Sequence, residues 1–82
     1  MSAKLQEIKN WLDEANKNKA THLIITVDTF DYENYPVYVT SNKNIQKEIK
    51  RIESSSMQSI DEVYNMSLSI DKQLSEHRAY HI

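Results

Sequence analysis

A chain of 82 residues supports one hydrophobic core and leaves no room for a second domain. The absence of cysteine excludes disulfide frameworks, thiolate metal sites and cysteine nucleophiles and suits a reducing, cytoplasmic setting, while the absence of glycine, against about 7% in average proteins, excludes the glycine-rich loops that cradle nucleotide phosphates. The net charge of -2 hides a segregation: residues 20–41 carry Asp28, Asp31 and Glu33 with no lysine or arginine, whereas Lys43, Lys47, Lys50 and Arg51 crowd into residues 43–51 against Glu48 alone, an asymmetry that can steer a charged partner but is more often a solvated face.

In chain order, Leu5, Ile8, Leu12 and Ala15 recur at three and four residues with Trp11 beside them, which predicts an amphipathic helix over 3–16 with Ser2 as its N-cap. Asn16 to Lys19 ends it, because asparagine tolerates the left-handed conformation that closes a helix without glycine. Residues 21–28 are rich in β-branched side chains, with Leu23, Ile25 and Val27 on one face and Ile24 on the other, as in the central strand of a sheet. The apolar run Leu23–Ile25 is far short of the roughly 20 residues of a membrane span, and the N-terminus has no apolar signal core. A cytoplasmic protein that is neither secreted by signal nor embedded in a membrane is the expectation. Residues 29–35 form a turn in which aromatics alternate with acids, and Pro36 then opens a strand over 36–40 that returns as a hairpin. Ser41 or Asn42 caps a helix over 43–53 whose Ile45, Ile49 and Ile52 face the sheet. After serines 54–56, alternation of Tyr64, Met66 and Leu68 with Val63, Asn65 and Ser67 predicts a strand over 62–68. Ile70, Leu74 and His77 then mark a closing helix over 70–78.

This order, α-β-β-α-β-α, is that of a single α+β domain over residues 1–82. The helix between the second and third strands permits a parallel crossover, so a mixed three-stranded sheet packed by helices is expected.

Little in the chain looks catalytic. His77 and His81 stand four apart, with His22 elsewhere, but the glutamate and third ligand of zinc helices are missing. Asp28, Asp31 and Glu33 fit no calcium loop, and no serine lies in a strained nucleophile elbow. The expectation is no enzyme, no metal and no cofactor. Lys43, Lys47, Lys50 and Arg51 could meet a nucleic-acid backbone, but a pI of about 5.9 disfavours direct nucleic-acid binding. Phe30, Tyr32, Tyr35 and Tyr38 beside Asp31 and Glu33 give the better signal, since tyrosine brings large contact area at low entropy cost and acids complement a basic partner; the competing reading is that these rings complete a small core.

The stretch from Thr21-His22-Leu23 through Asp28-Thr29-Phe30-Asp31-Tyr32-Glu33-Asn34-Tyr35-Pro36-Val37-Tyr38-Val39, with Asp61-Glu62-Val63-Tyr64-Asn65 and Gln73-Leu74-Ser75-Glu76-His77-Arg78-Ala79-Tyr80, resembles a family of short proteins encoded by phages and mobile elements of Gram-positive bacteria. The resemblance spans about half the chain and brings no catalytic residue with it. It implies a setting, the cytoplasm of a bacterial host, where small proteins of this kind antagonise a host enzyme or immune effector, CRISPR nucleases included. The expectation is therefore an accessory protein, such as an anti-CRISPR or other anti-defence protein, that inhibits or modulates a host protein, for example a nucleic-acid-binding enzyme, through Phe30, Asp31, Tyr32, Glu33, Tyr35 and Tyr38, with Lys43, Lys47, Lys50 and Arg51 secondary. The alternatives are a protein that sequesters a small molecule or nucleotide signal as a homo-oligomer, and a nucleic-acid-binding accessory acting through the basic helix 43–51.

Overall fold

A computed structural model describes residues 5–76 and 80–82, Leu5 through its backbone alone. The elements are α1 (Leu5–Lys17), β1 (Ala20–Asp28), β2 (Asn34–Thr40), α2 (Ile45–Glu53), β3 (Gln58–Asn65) and α3 (Ile70–Leu74). The expected α-β-β-α-β-α order and α+β class are what the chain adopts. Ser2, His77 and Arg78 lie outside the described residues.

The sheet departs from expectation in one respect. It is antiparallel throughout, in the order β2-β1-β3, and not mixed. The α2 crossover does carry the chain between two strands of the same direction, but β3 passes over β2 and settles on the far edge of β1. The cause lies in β1, whose Leu23, Ile24 and Ile25 are all fully buried: a strand apolar on both faces is best covered when it is also flanked on both edges. Residues 80–82 close the outer edge of β3, where the His81 N–H donates to the Val63 carbonyl at 3.0 Å and Tyr80 bridges Val63 in parallel. On β2, Pro36 removes an N–H from an edge strand, a common protection of sheet edges.

Strand alternation splits the interior into two cores. Leu23 and Ile25 meet Ile8, Leu12 and Ala15 of α1 with Tyr64 of β3, and Tyr38, Trp11, Ile70 and Leu74 pack around them. Ile24 meets Val39, Val63 and Ile49 and Ile52 of α2 on the other face. Helices therefore cover both sides of a three-stranded sheet.

Local corrections follow from turn chemistry. The left-handed residue after α1 is Lys19, at φ 55°, and not an asparagine. The N-cap of α2 is Asn44, whose Oδ1 accepts from the Gln46 and Lys47 amides at 2.9 and 3.2 Å, because Ser41 and Asn42 are spent on a tighter turn in which the Lys43 N–H returns to the Thr40 carbonyl. An Asn44→Ala variant is expected to lose about 1 kcal/mol of stability, read from its urea midpoint; an unchanged midpoint would assign the capping to another group. The third strand runs over Gln58–Asn65 and not 62–68, and Met66 to Leu68 are turn. The closing helix stops at Leu74, capped by Ser75, and His81 sits on a strand edge and not on a helix.

Tyr64 is 1% exposed, and its hydroxyl donates to the Glu62 carboxylate at 2.7 Å. Burial, then the hydrogen bond and charge of Glu62, push the phenol well above its ordinary 10.0. The unfolded chain releases this proton first, so the native state binds more protons above pH 10, and stability that is full below that point falls as pH rises, by about 1.4 kcal/mol per pH unit for this group. Urea midpoints between about pH 8 and pH 11 test the sign. The fall should be shallower in Tyr64→Phe but not abolished, since Tyr35, Tyr38 and Tyr80 shift in the same direction.

Candidate binding surface at the aromatic turn

The β1–β2 connection is held by its own acids. The Asp28 N–H donates to the Glu33 carbonyl at 2.9 Å and the Tyr32 N–H to the Asp28 carbonyl at 2.7 Å. The side chains repeat the pattern: Asp28 Oδ1 accepts from the Phe30 N–H at 2.8 Å and Asp31 Oδ1 from the Glu33 N–H at 3.0 Å, the local bonding through which aspartate favours turns. These four bonds hold Tyr32 at φ 60°, a left-handed conformation that disfavours a bulky side chain by about 1–2 kcal/mol.

A second loop braces the first. The Thr29 N–H donates to the Met57 carbonyl at 3.0 Å, and the Thr29 hydroxyl donates to the Ser56 carbonyl at 3.3 Å. With the backbone pinned from both sides, the apolar side chains stand outward: Phe30 is 81% exposed, Tyr32 65% and Met57 50%. A small core offers places for such side chains, yet these three stand in water. Met57 was not legible as a neighbour of this turn, because 27 residues separate it from Phe30 and only the bonds from Thr29 bring its loop there.

The other candidate residues are distributed unevenly. Asp31 and Glu33 are exposed on the turn, Asp31 with one carboxylate oxygen already engaged. Tyr35 lies on the α2 face, opposite Thr26, bonded to Gln58; burial first and the Asp28 charge second raise its pKa, and Arg51 opposes them. Tyr38 lies on the other face, half-buried in the α1 core, its pKa raised by burial and then by Glu14. Phe30, Asp31, Tyr32, Glu33 and Tyr35 therefore share one end of the molecule, and Tyr38 does not join them.

On α2, Glu48 binds Arg51 at 2.8 Å and Lys43 at 3.9 Å. Lys47, Lys50, Arg51 and Ser54 line a shallow hollow of about 420 Å³. Arg51 and Asp28 both act on the Tyr35 hydroxyl, so the basic run ends beside the acidic turn and the two charge blocks of the sequence meet in space. Among the described residues no group of three His, Cys, Asp or Glu side chains could hold a metal ion. His22 and His81 take separate partners: His22 Nδ1 the Thr21 hydroxyl at 3.0 Å, His81 the Val63 carbonyl and the Glu76 carboxylate at 3.1 and 3.0 Å. Among the described residues no helix is long and apolar enough to cross a membrane. No family model, curated protein or solved structure matches the chain.

Proposed function

We propose that this chain is a phage or mobile-element accessory protein that binds a host protein and inhibits or modulates it, in the manner of an anti-defence or anti-CRISPR protein, and that the β1–β2 turn is its docking surface. The observation that carries the proposal is the exposure of Phe30 and Tyr32 on a turn pinned by four internal hydrogen bonds. A pre-organised loop loses little entropy when a partner closes over it. Asp31 and Glu33 at its rim add complementarity to a basic surface, which favours a nucleic-acid-binding groove as the target. The action is occlusion of that groove, which needs neither cofactor nor catalytic group. The resemblance to Gram-positive phage and mobile-element proteins supplies the host context.

The test is an affinity capture from a Gram-positive host lysate with wild type, Phe30→Ala, and Asp31→Asn combined with Glu33→Gln. The amide substitution at Asp31 removes charge while keeping the Oδ1 acceptor that the Glu33 N–H uses, so a lost partner reports on docking and not on a broken turn. One host protein held by wild type and lost from both variants is the expected result. Equal capture by all three would remove the turn from the reading.

A further inference from the structure

The acidic turn and the basic end of α2 belong to one surface. Lys47, Lys50, Arg51 and the helix cap Ser54 line a single hollow with no acid in its wall. Two residues beyond Ser54 the chain reaches Ser56, whose carbonyl accepts from the Thr29 hydroxyl, and then Met57, whose carbonyl accepts from the Thr29 N–H. These bonds tie the loop leaving α2 to the turn that carries Phe30, Asp31 and Glu33. The same end of the protein therefore presents cations, anions and, at the junction that joins them, the exposed apolar side chains of Phe30 and Met57.

A host groove that takes the acidic turn accounts for Asp31 and Glu33 but leaves the basic hollow unused. A second copy of this chain matches both. Rotation by 180° about an axis through the junction lays the acids of each copy over the cations of the other, and an isologous contact makes every such pairing twice. Because both charged patches lie on one end, the two-fold arrangement uses them together and closes, whereas a head-to-tail contact leaves one acidic and one basic patch unmatched. The junction supplies an apolar centre and the charges a polar rim, which is the ordinary anatomy of a protein interface. Each copy carries a net charge of -2, a repulsion that acts over the whole molecule, while the opposed patches attract at contact distance, inside the Debye length of about 10 Å at 0.1 M salt.

We infer that this end of the protein is the interface of a two-fold homodimer, in which Asp31 and Glu33 of each copy face Lys47, Lys50 and Arg51 of the other across a centre formed by Phe30 and Met57. The homodimer does not depend on a host partner; a host protein that docks at the turn competes with the second copy for Phe30.

Sedimentation equilibrium of the purified full chain tests the interface. Wild type is expected to dimerise with a Kd of about 100 μM or tighter at about 50 mM salt, and at least about tenfold more weakly at about 500 mM salt. Two charge-swapped variants then test the pairing. Asp31→Asn with Glu33→Lys makes the turn basic while keeping the Asp31 Oδ1 acceptor that holds it, and Lys47→Glu with Lys50→Glu makes the hollow acidic; all four positions are exposed, so melting temperatures should stay near that of wild type. Each variant alone sets like charge against like and should self-associate at least about tenfold more weakly than wild type, whereas their equimolar mixture restores opposite charges at both contacts and should pair at least about tenfold more tightly than either variant alone. On dilution of nitrogen-15-labelled wild type, the amides of residues 29–33 and 47–57 should shift together, a readout that needs no variant. A wild type that remains monomeric at about 1 mM, a variant that dimerises as tightly as wild type, or a mixture that pairs no better than its components would each overturn the homodimer. A monomeric wild type that still captures a host protein through Phe30 would assign the surface to that host alone.

Discussion

Gln73→Leu is expected to unfold at a clearly lower urea concentration, with about 2 kcal/mol of stability lost. Gln73 is 2% exposed on a helix of only 5 residues, and its amide behaves like one more residue of the sheet. Its Oε1 accepts from the Asn65 N–H at 2.7 Å, and its Nε2 donates to the Asn65 carbonyl at 2.9 Å and the Ser69 carbonyl at 3.1 Å. Leucine fills the same space but strands the Asn65 N–H and removes one of two donors from the Asn65 carbonyl, which keeps the Leu68 N–H at 3.2 Å; a stranded backbone group costs about 1–3 kcal/mol. Gln73→Glu separates the effects. It keeps the acceptor for the Asn65 N–H and sets a carboxylate against two carbonyl oxygens, so relative to wild type it should be destabilised at neutral pH and partly recover in acid, where the protonated side chain can donate again. A leucine variant with an unchanged urea midpoint would mean that the third helix docks through Ile70 and Leu74 alone.

Nothing in the sequence marked Gln73. A polar residue on a short helix carries no periodic signal, and its partners are backbone atoms that any residue at position 65 would supply. Periodicity succeeded where side chains faced a continuous core, as at Leu23, Ile24 and Ile25 for the central strand and Ile45, Ile49 and Ile52 for α2. It misled at the third strand for a related reason. Ile60 and Val63 share the α2 core although they are three apart, because the register slips between Ile60 and Glu62 and leaves Asp61 as the extra residue. The bulge erases alternation at the start of the strand, while Met66 and Leu68 prolong it by coincidence into the turn. The antiparallel sheet was illegible because a crossover helix is equally compatible with β3 beside β2 or across β1.

The aromatic turn was legible as composition but not as shape. Alternating rings and acids at 30–35 announced a surface, whereas the inward use of Asp28 and Asp31 oxygens and the brace from Ser56 and Met57 needed the fold. This changes how the acids are to be tested: reversing the charge at Asp31 would also break the bond that positions Glu33, and a lost interaction would then be ambiguous. Neutral amides avoid the ambiguity.

Phe30→Ala is the decisive substitution for the proposed docking surface. An exposed ring adds nothing to the interior, so the variant should melt within about 0.5 kcal/mol of wild type, while affinity for the captured host protein should fall by about thirtyfold or more, the 2 kcal/mol or greater typical of a hot-spot aromatic. Most of the loss should lie in faster dissociation, because a buried ring acts after encounter. The paired amide variant at Asp31 and Glu33 should instead slow association and weaken its dependence on salt, as rim charges do. Met57→Ala supplies an internal control on geometry. The Thr29 N–H ties the Met57 backbone to the residue preceding Phe30, so the two truncations should be non-additive if one partner surface covers both. A Phe30→Ala protein that binds its host target as tightly as wild type would leave the exposed ring without a role in docking, and the α2 cations ending at Arg51 would become the next surface to test.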